Sequence, residues 1–287
     1  MQEVNVHAKN IWIRIIEWYC YSNIHIAVCA FFFTRYSFMQ FGYNTSNLYS
    51  LLIATCTFIV YTLHKIIGLR SFNATETITQ KFVLVANYPL AFLILCAATA
   101  IISSYLFVIQ SGITQFLLFV PCFLTILYIF PIFKRGRRLR DLPYAKVFIL
   151  ALCWSLLCRW IPLTIVNVPF MVKVISSLSA FLFIAALGLV FDNKDAAVDL
   201  KKKVKTLVHV IPQYALLWIV GIILFWCFLL DYISIRIAGI EKNIFIALAL
   251  YCTIGLAIYF TKYFRQELYY TFVLDGTMML FVLTLFL

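Results

Sequence analysis

The chain has 287 residues, 64% of them hydrophobic and 12% charged, with a formal net charge of +12. Soluble domains are about 25% charged, so an ordinary water-soluble fold is excluded and a polytopic membrane protein is expected. In such a chain a positive balance reflects basic cytoplasmic loops, and nucleic acid is not an expected partner.

Nine apolar runs follow one another along the chain. They predict spans at Ile11–Thr34, Leu48–Leu69, Val83–Ile109, Ile113–Phe133, Lys146–Val166, Phe170–Phe191, Leu207–Leu230, Asn243–Thr261 and Leu268–Leu287. Each is near the 20 residues that a helix needs to cross about 30 Å. Only helices or closed barrels satisfy their backbone in lipid, and runs of this length read as helices. Ser111-Gly112 alone divides the third span from the fourth. No repeat and no soluble domain is visible, so residues 1–287 read as one all-α transmembrane domain. The N-terminal MQEVNVHAKN lacks the pattern of a cleaved signal, which leaves the first span in the mature chain. The nine cysteines are scattered through apolar segments without a CxxC pair. They read as buried thiols, not as disulfides or zinc ligands.

Basic residues set an orientation. With the N-terminus in the cytoplasm, 18 of the 23 lysines and arginines fall in inside segments and 5 outside. That bias predicts N-in and C-out.

Polar residues inside or at the ends of the apolar runs are candidate functional groups. Ser22, Asn23 and His25 lie in the first span, with Asn23 roughly 18 Å from its cytoplasmic end. Asn23 either faces a substrate cavity or makes an interhelical bond. The second span ends on Tyr61-Thr62-Leu63-His64-Lys65. His64 and Lys65 either meet an anion there or mark the membrane boundary, Lys65 reaching to headgroups. The fourth span ends on a basic stretch from Lys134 and Arg135 to Arg140. With Lys146 the segment has six cations, which suit anionic lipid, and Lys134 and Arg135 lie nearest the helix end. Asp275 interrupts the last span about 10 Å deep, where a charge requires a partner, water or a proton.

The most informative stretch is Phe191 to Thr206, FDNKDAAVDLKKKVKT. Asp192, Asp195 and Asp199 recur at i, i+3 and i+7. On a helix they fall within roughly 60° of one another. Such a face can hold magnesium, which takes one or two carboxylates plus phosphate oxygens and water. The neighbouring lysines, Lys205 among them, offset phosphate charge. The plain alternative is a solvated loop with Asp199–Lys203 as an i, i+4 pair.

Nine spans, an N-in arrangement and this stretch after the sixth span resemble the UbiA superfamily of intramembrane prenyltransferases. Asp192, Asp195, Asp199 and Thr206 fall in register on that family's second aspartate-rich motif, while Phe191 and Lys203 depart from it. The first aspartate-rich motif is missing: no acidic residue lies between Glu17 and Glu76. In its place stands Tyr61-x-x-His64-Lys65, which resembles a divergent bacterial branch. The resemblance implies transfer of a prenyl group from a prenyl diphosphate to an aromatic or lipophilic acceptor, with Asp192, Asp195 and Asp199 holding Mg2+. It also implies that Lys134 and Arg135 contact diphosphate. Asp195 and Asp199 are expected to matter more than Asp192. Lys65, with His64, is expected to supply the cation that the missing motif would have held. Two rivals stand beside this reading: a non-catalytic member that binds an isoprenoid or lipid, and a small-solute transporter.

Overall fold

The computed structural model describes residues 11–44, 47–69, 80–132, 138–201 and 204–285. Among them every regular element is helical. The helices are α1 (Ile11–Tyr21), α2 (Ile24–Met39), α3 (Leu48–Leu69), α4 (Gln80–Asn87), α5 (Pro89–Val108) and α6 (Gly112–Ile129), followed by α7 (Ala145–Ser155), α8 (Ile161–Ile165), α9 (Phe170–Lys201), α10 (Gln213–Ile237), α11 (Ile244–Tyr259) and α12 (Asp275–Leu283). A π-helical stretch, Leu156–Trp160, joins α7 to α8, and another, Tyr269–Leu274, leads into α12.

Seven of these segments are long and apolar enough to cross a membrane, and the bent pair α1–α2 makes an eighth if it forms one span. The expected count of nine is therefore met only in part among the described residues. Local chemistry explains the differences. The run Ile11–Thr34 breaks at Asn23, which adopts φ +70° with no side-chain cap, and the two halves meet at 65°. The third run breaks before Pro89, whose missing N–H suits the first position of α5. The ninth run yields a shorter apolar helix, 269–283. The aspartate-rich stretch is not a loop: α9 continues through it to Lys201. Elsewhere the sequence signals hold. Ser111 Oγ accepts from Thr114 N at 3.3 Å and starts α6, and Asn243 Oδ1 caps α11 through Phe245 N.

The centre of the bundle is α9. Of its apolar window 67% is buried, against 22% in α5 and α6, so the latter pair faces outward. It packs between α10 and α7, while α2 lies between α3 and α12. Phe33, Phe183 and Phe281 knit α2, α9 and α12 together, with ring centroids 4.9 to 5.7 Å apart. One glycine sets a helix separation: a Cβ on Gly188 would lie 3.1 Å from Val147 Cγ1, so its absence lets α7 approach α9. Gly188→Val is expected to destabilise the bundle by about 1–3 kcal/mol through overpacking. Val147→Ala in the same chain should recover much of that loss. Equal thermal denaturation of the single and double variants in detergent would exclude this contact as the cause.

At the end of the bundle where α2 and α10 finish, Arg159 is almost fully buried. It hydrogen-bonds to Gln40 Oε1, lies 4.8 Å from the Tyr36 ring centroid and reaches Asp231 at 3.9 Å. Lys242, on the α10–α11 connection, sits 5.6 Å from the same ring. Burial first, then the nearby Arg159, pushes its pKa down to about 8, with Asp231 opposing. A folded-state pKa below the free value means that the unfolded chain binds the extra proton between pH 8 and 10.5. The charged form thus weakens the fold below pH 8, and that weakening fades as pH rises toward 10.5. Lys242→Met should accordingly stabilise the protein at pH 7, by up to about 3 kcal/mol, and give no gain above pH 10.5. A pH-independent difference in melting temperature would contradict this account.

Candidate functional site

A cavity of about 1180 Å³ opens between α2, α3, α6, α7, α9 and the Tyr269–Leu274 stretch. Its inner walls are apolar: Ile26, Leu52, Ile53, Leu118, Trp154 and Ile184 among others. Its mouth is ionic. Three helices explain the contrast. The chain enters α7 at this end through Lys146, and α3 and α9 finish here on His64–Lys65 and on Asp192–Asp199. Ligand pockets commonly span about 300–1,000 Å³ with apolar walls and a few polar groups, so this cavity can take an elongated apolar molecule.

The mouth is built around Lys146. Its Nζ lies 2.7 Å from Asp192 Oδ1 and 2.8 Å from Asp199 Oδ2. The i and i+7 carboxylates of α9 thus grip one ammonium from α7, and Gly188 allows the helices to be that close. Asp192 is 3% exposed and Asp199 6%, so this is a buried pair held by one cation. Asp195 lines the same mouth, half-buried. Asp192, expected to matter least, holds Lys146 as closely as Asp199 does.

The three aspartates do not fit magnesium as folded. Among the described residues no three His, Cys, Asp or Glu side chains converge as metal ligands. The place between the two nearest carboxylates is taken by the Lys146 ammonium. One fixed positive charge therefore stands where the sequence led us to expect a divalent cation.

A second set of cations faces this group. Arg140 Nη1 donates to His64 Nε2 at 2.8 Å, which fixes that nitrogen as an acceptor. The Arg140 guanidinium lies 5.4 Å from the Tyr128 ring centroid. Burial opposes its charge, but Tyr128, Asp199, Asp141 and Asp192 outweigh burial and raise its pKa. Arg138 is engaged locally with Asp141 at 3.2 Å. Lys65 is buried and points into the bundle, donating to Tyr21 O at 2.9 Å. It lines the cavity, as do His64 and Tyr61. Asn23 also lines it, and its Nδ2 bonds Thr62 Oγ1 at 3.0 Å, so it both faces the cavity and ties α2 to α3. Lys194 and Glu267 pair at 2.6 Å, and Asp275 lines the wall with Lys194 and Lys65 as its nearest positive influences.

One expected position sits elsewhere. Lys205 is exposed and does not line the cavity, and its carbonyl accepts from Tyr144 N. Lys134 and Arg135 lie outside the described residues. Sequence reading missed Lys146 as a site residue, although it is the first charge of the fifth span and that span runs antiparallel to the sixth. It also missed Arg140, which lay within the recognised basic stretch but farther from the helix end.

Compared with known proteins, the chain matches no family model, no curated protein and no solved structure.

Proposed function

We propose that the chain is a UbiA-like intramembrane prenyltransferase whose large cavity receives a prenyl diphosphate, the chain along the apolar walls and the diphosphate at the ionic mouth. The observation that carries this reading is the joining of a long apolar cavity to a mouth where Lys65, Arg140 and Lys146 converge. Burial of a prenyl chain is favourable by about 25 cal/mol per Å² of apolar surface. A departing diphosphate gains negative charge, and cations fixed beside it lower the barrier. In this reading Lys65 and Arg140 bind the diphosphate, His64 orients Arg140, and the rings of Tyr61 and Tyr128 lie where an allylic cation would form. The acceptor is a lipophilic or aromatic nucleophile sharing the apolar wall. No step is derived through magnesium, since Lys146 holds its expected ligands. The accompanying topology is nine spans with the mouth on the cytoplasmic face of a bacterial inner membrane.

A second reading has one specific observation in its favour. A carboxylate pair closed on a lysine suits an isoprenoid or lipid carrier without turnover. Purified protein incubated with farnesyl or geranylgeranyl diphosphate, in Mg2+ and in EDTA, separates the two. Saturable binding with diphosphate release supports transfer. Binding without release in the presence of candidate acceptors supports the carrier. Absence of binding in both buffers rejects both readings and leaves a transporter.

A further inference from the structure

A second cavity of about 440 Å³ lies at the opposite end of the bundle and shares no lining residue with the first. Its walls come from the end of α2, the end of α10 and the first turn of α11. Four buried polar atoms in and behind this wall have no hydrogen-bond partner: Gln40 Nε2, Lys242 Nζ, Arg159 Nε and Asp231 Oδ1. A buried polar atom left unpaired is costly, and four in one cluster can be satisfied together by one polar ligand. Gln40 is 1% exposed and lines the cavity, as do Lys242 and Asp231.

We propose that this cavity binds a phosphate ester bearing a free hydroxyl. The charges favour an anion. Arg159 and Lys242 flank one ring, Tyr36, with Asp231 as the sole buried acid between them in this cluster, and Glu241 at the rim is exposed. The start of α11 adds only its partial positive charge, since the N–H groups of Phe245, Ile246 and Ala247 are already paired with Asn243. Two unlike donors, the Lys242 ammonium and the Gln40 amide, approach from separate elements, which suits an oxyanion. The remaining carboxylate oxygen selects a hydroxyl. Asp231 Oδ2 is already taken by the Tyr251 hydroxyl at 2.5 Å, so Oδ1, which faces Arg159 Nη2 at 3.9 Å without a hydrogen bond, is the acceptor with room for one. Met39, Ile240 and Leu250 complete an apolar remainder, for the body that carries the phosphate. Burial, then the charge of Arg159, lowers the pKa of Lys242, and an anion bound beside it would oppose that shift. The proposal is independent of the function assigned to the first cavity.

Two sources offer this chemistry, the headgroup of a glycerol-type phospholipid and a free phosphorylated polyol. Titration of the detergent-purified protein with dioctanoyl phosphatidylglycerol, glycerol 3-phosphate and dioctanoyl phosphatidylcholine distinguishes them. Tight binding of the first alone assigns a lipid. Binding of the first two to similar extents assigns a free phosphate ester that tolerates a lipid tail. Phosphatidylcholine, which lacks the hydroxyl and carries a cation, should bind at least about tenfold more weakly. Lys242→Met and Gln40→Leu should each weaken the favoured probe about tenfold or more, while Lys242→Arg retains binding and reports that the fold is intact. The proposal is overturned if neither phosphate probe binds below about 1 mM, if phosphatidylcholine binds equally, or if both Lys242→Met and Gln40→Leu leave affinity within about twofold of the parent.

Discussion

Lys146→Met is expected to lose about 3–5 kcal/mol of stability in EDTA and to recover much of it when Mg2+ is added. Removal of one partner from a buried ion pair leaves an uncompensated charge, and here it leaves two. Asp192 and Asp199 would face each other across the space that the ammonium filled at 2.7 and 2.8 Å. They can answer by taking up a proton or by taking up a cation. The variant should therefore also gain more stability than the parent as the pH falls toward the carboxylate range. The parent should melt at one temperature with or without Mg2+. A triple variant with Asp192→Asn and Asp199→Asn beside Lys146→Met should be as stable in EDTA as in Mg2+. Differential scanning in both buffers checks each statement. If the parent itself binds Mg2+ at micromolar concentration, Lys146 does not own the site.

The second large effect is expected at Lys65. Its ammonium is buried, faces the cavity and reaches the carbonyl of Tyr21, the last residue of α1. A charged hydrogen bond to a diphosphate contributes on the order of 1.5–3 kcal/mol, which is about one to two decades in affinity. Lys65→Met should weaken farnesyl diphosphate binding by that factor. Farnesol, with the same chain and no charge, should bind parent and variant alike. Lys65→Arg should fall between them, since a planar fork does not reproduce a compact ammonium. If diphosphate affinity is unchanged in Lys65→Met, the residue serves to hold the end of α1 and not to bind substrate.

Much of the bundle was legible because apolar run length and backbone satisfaction leave few alternatives. The run Leu48–Leu69 is a helix with those same bounds. The breaks were not legible. Nothing in the run Ile11–Thr34 separates Asn23 from any other polar residue until its left-handed backbone and its bond to Thr62 are seen. The aspartate face was visible as a spacing, since i, i+3 and i+7 is a helical pattern. Its occupant was not, because Lys146 is 46 to 53 residues away in the chain and arrives only through the packing of α7 on α9. The same limit hid the far cavity. Gln40, Arg159, Asp231 and Lys242 come from distant segments, and no local pattern joins them.

Arg159 carries a consequence for how the protein is made. It sits within the apolar segment 145–165, and it is buried by groups that the ribosome delivers at different times. Gln40 precedes it, but Asp231 follows some seventy residues later. An arginine at the centre of a helix disfavours insertion by roughly 2.5–3.5 kcal/mol on translocon scales, and Arg159, six residues from the end of its segment, carries part of that cost. Until α10 emerges, the α7–α8 segment holds that charge with an amide for company and no carboxylate. Its settlement in the bilayer is thus a late event, coupled to synthesis of a helix beyond α9. Chains arrested after α9 should present α7–α8 as a poorly anchored segment, open to the proteases that survey unfinished membrane proteins.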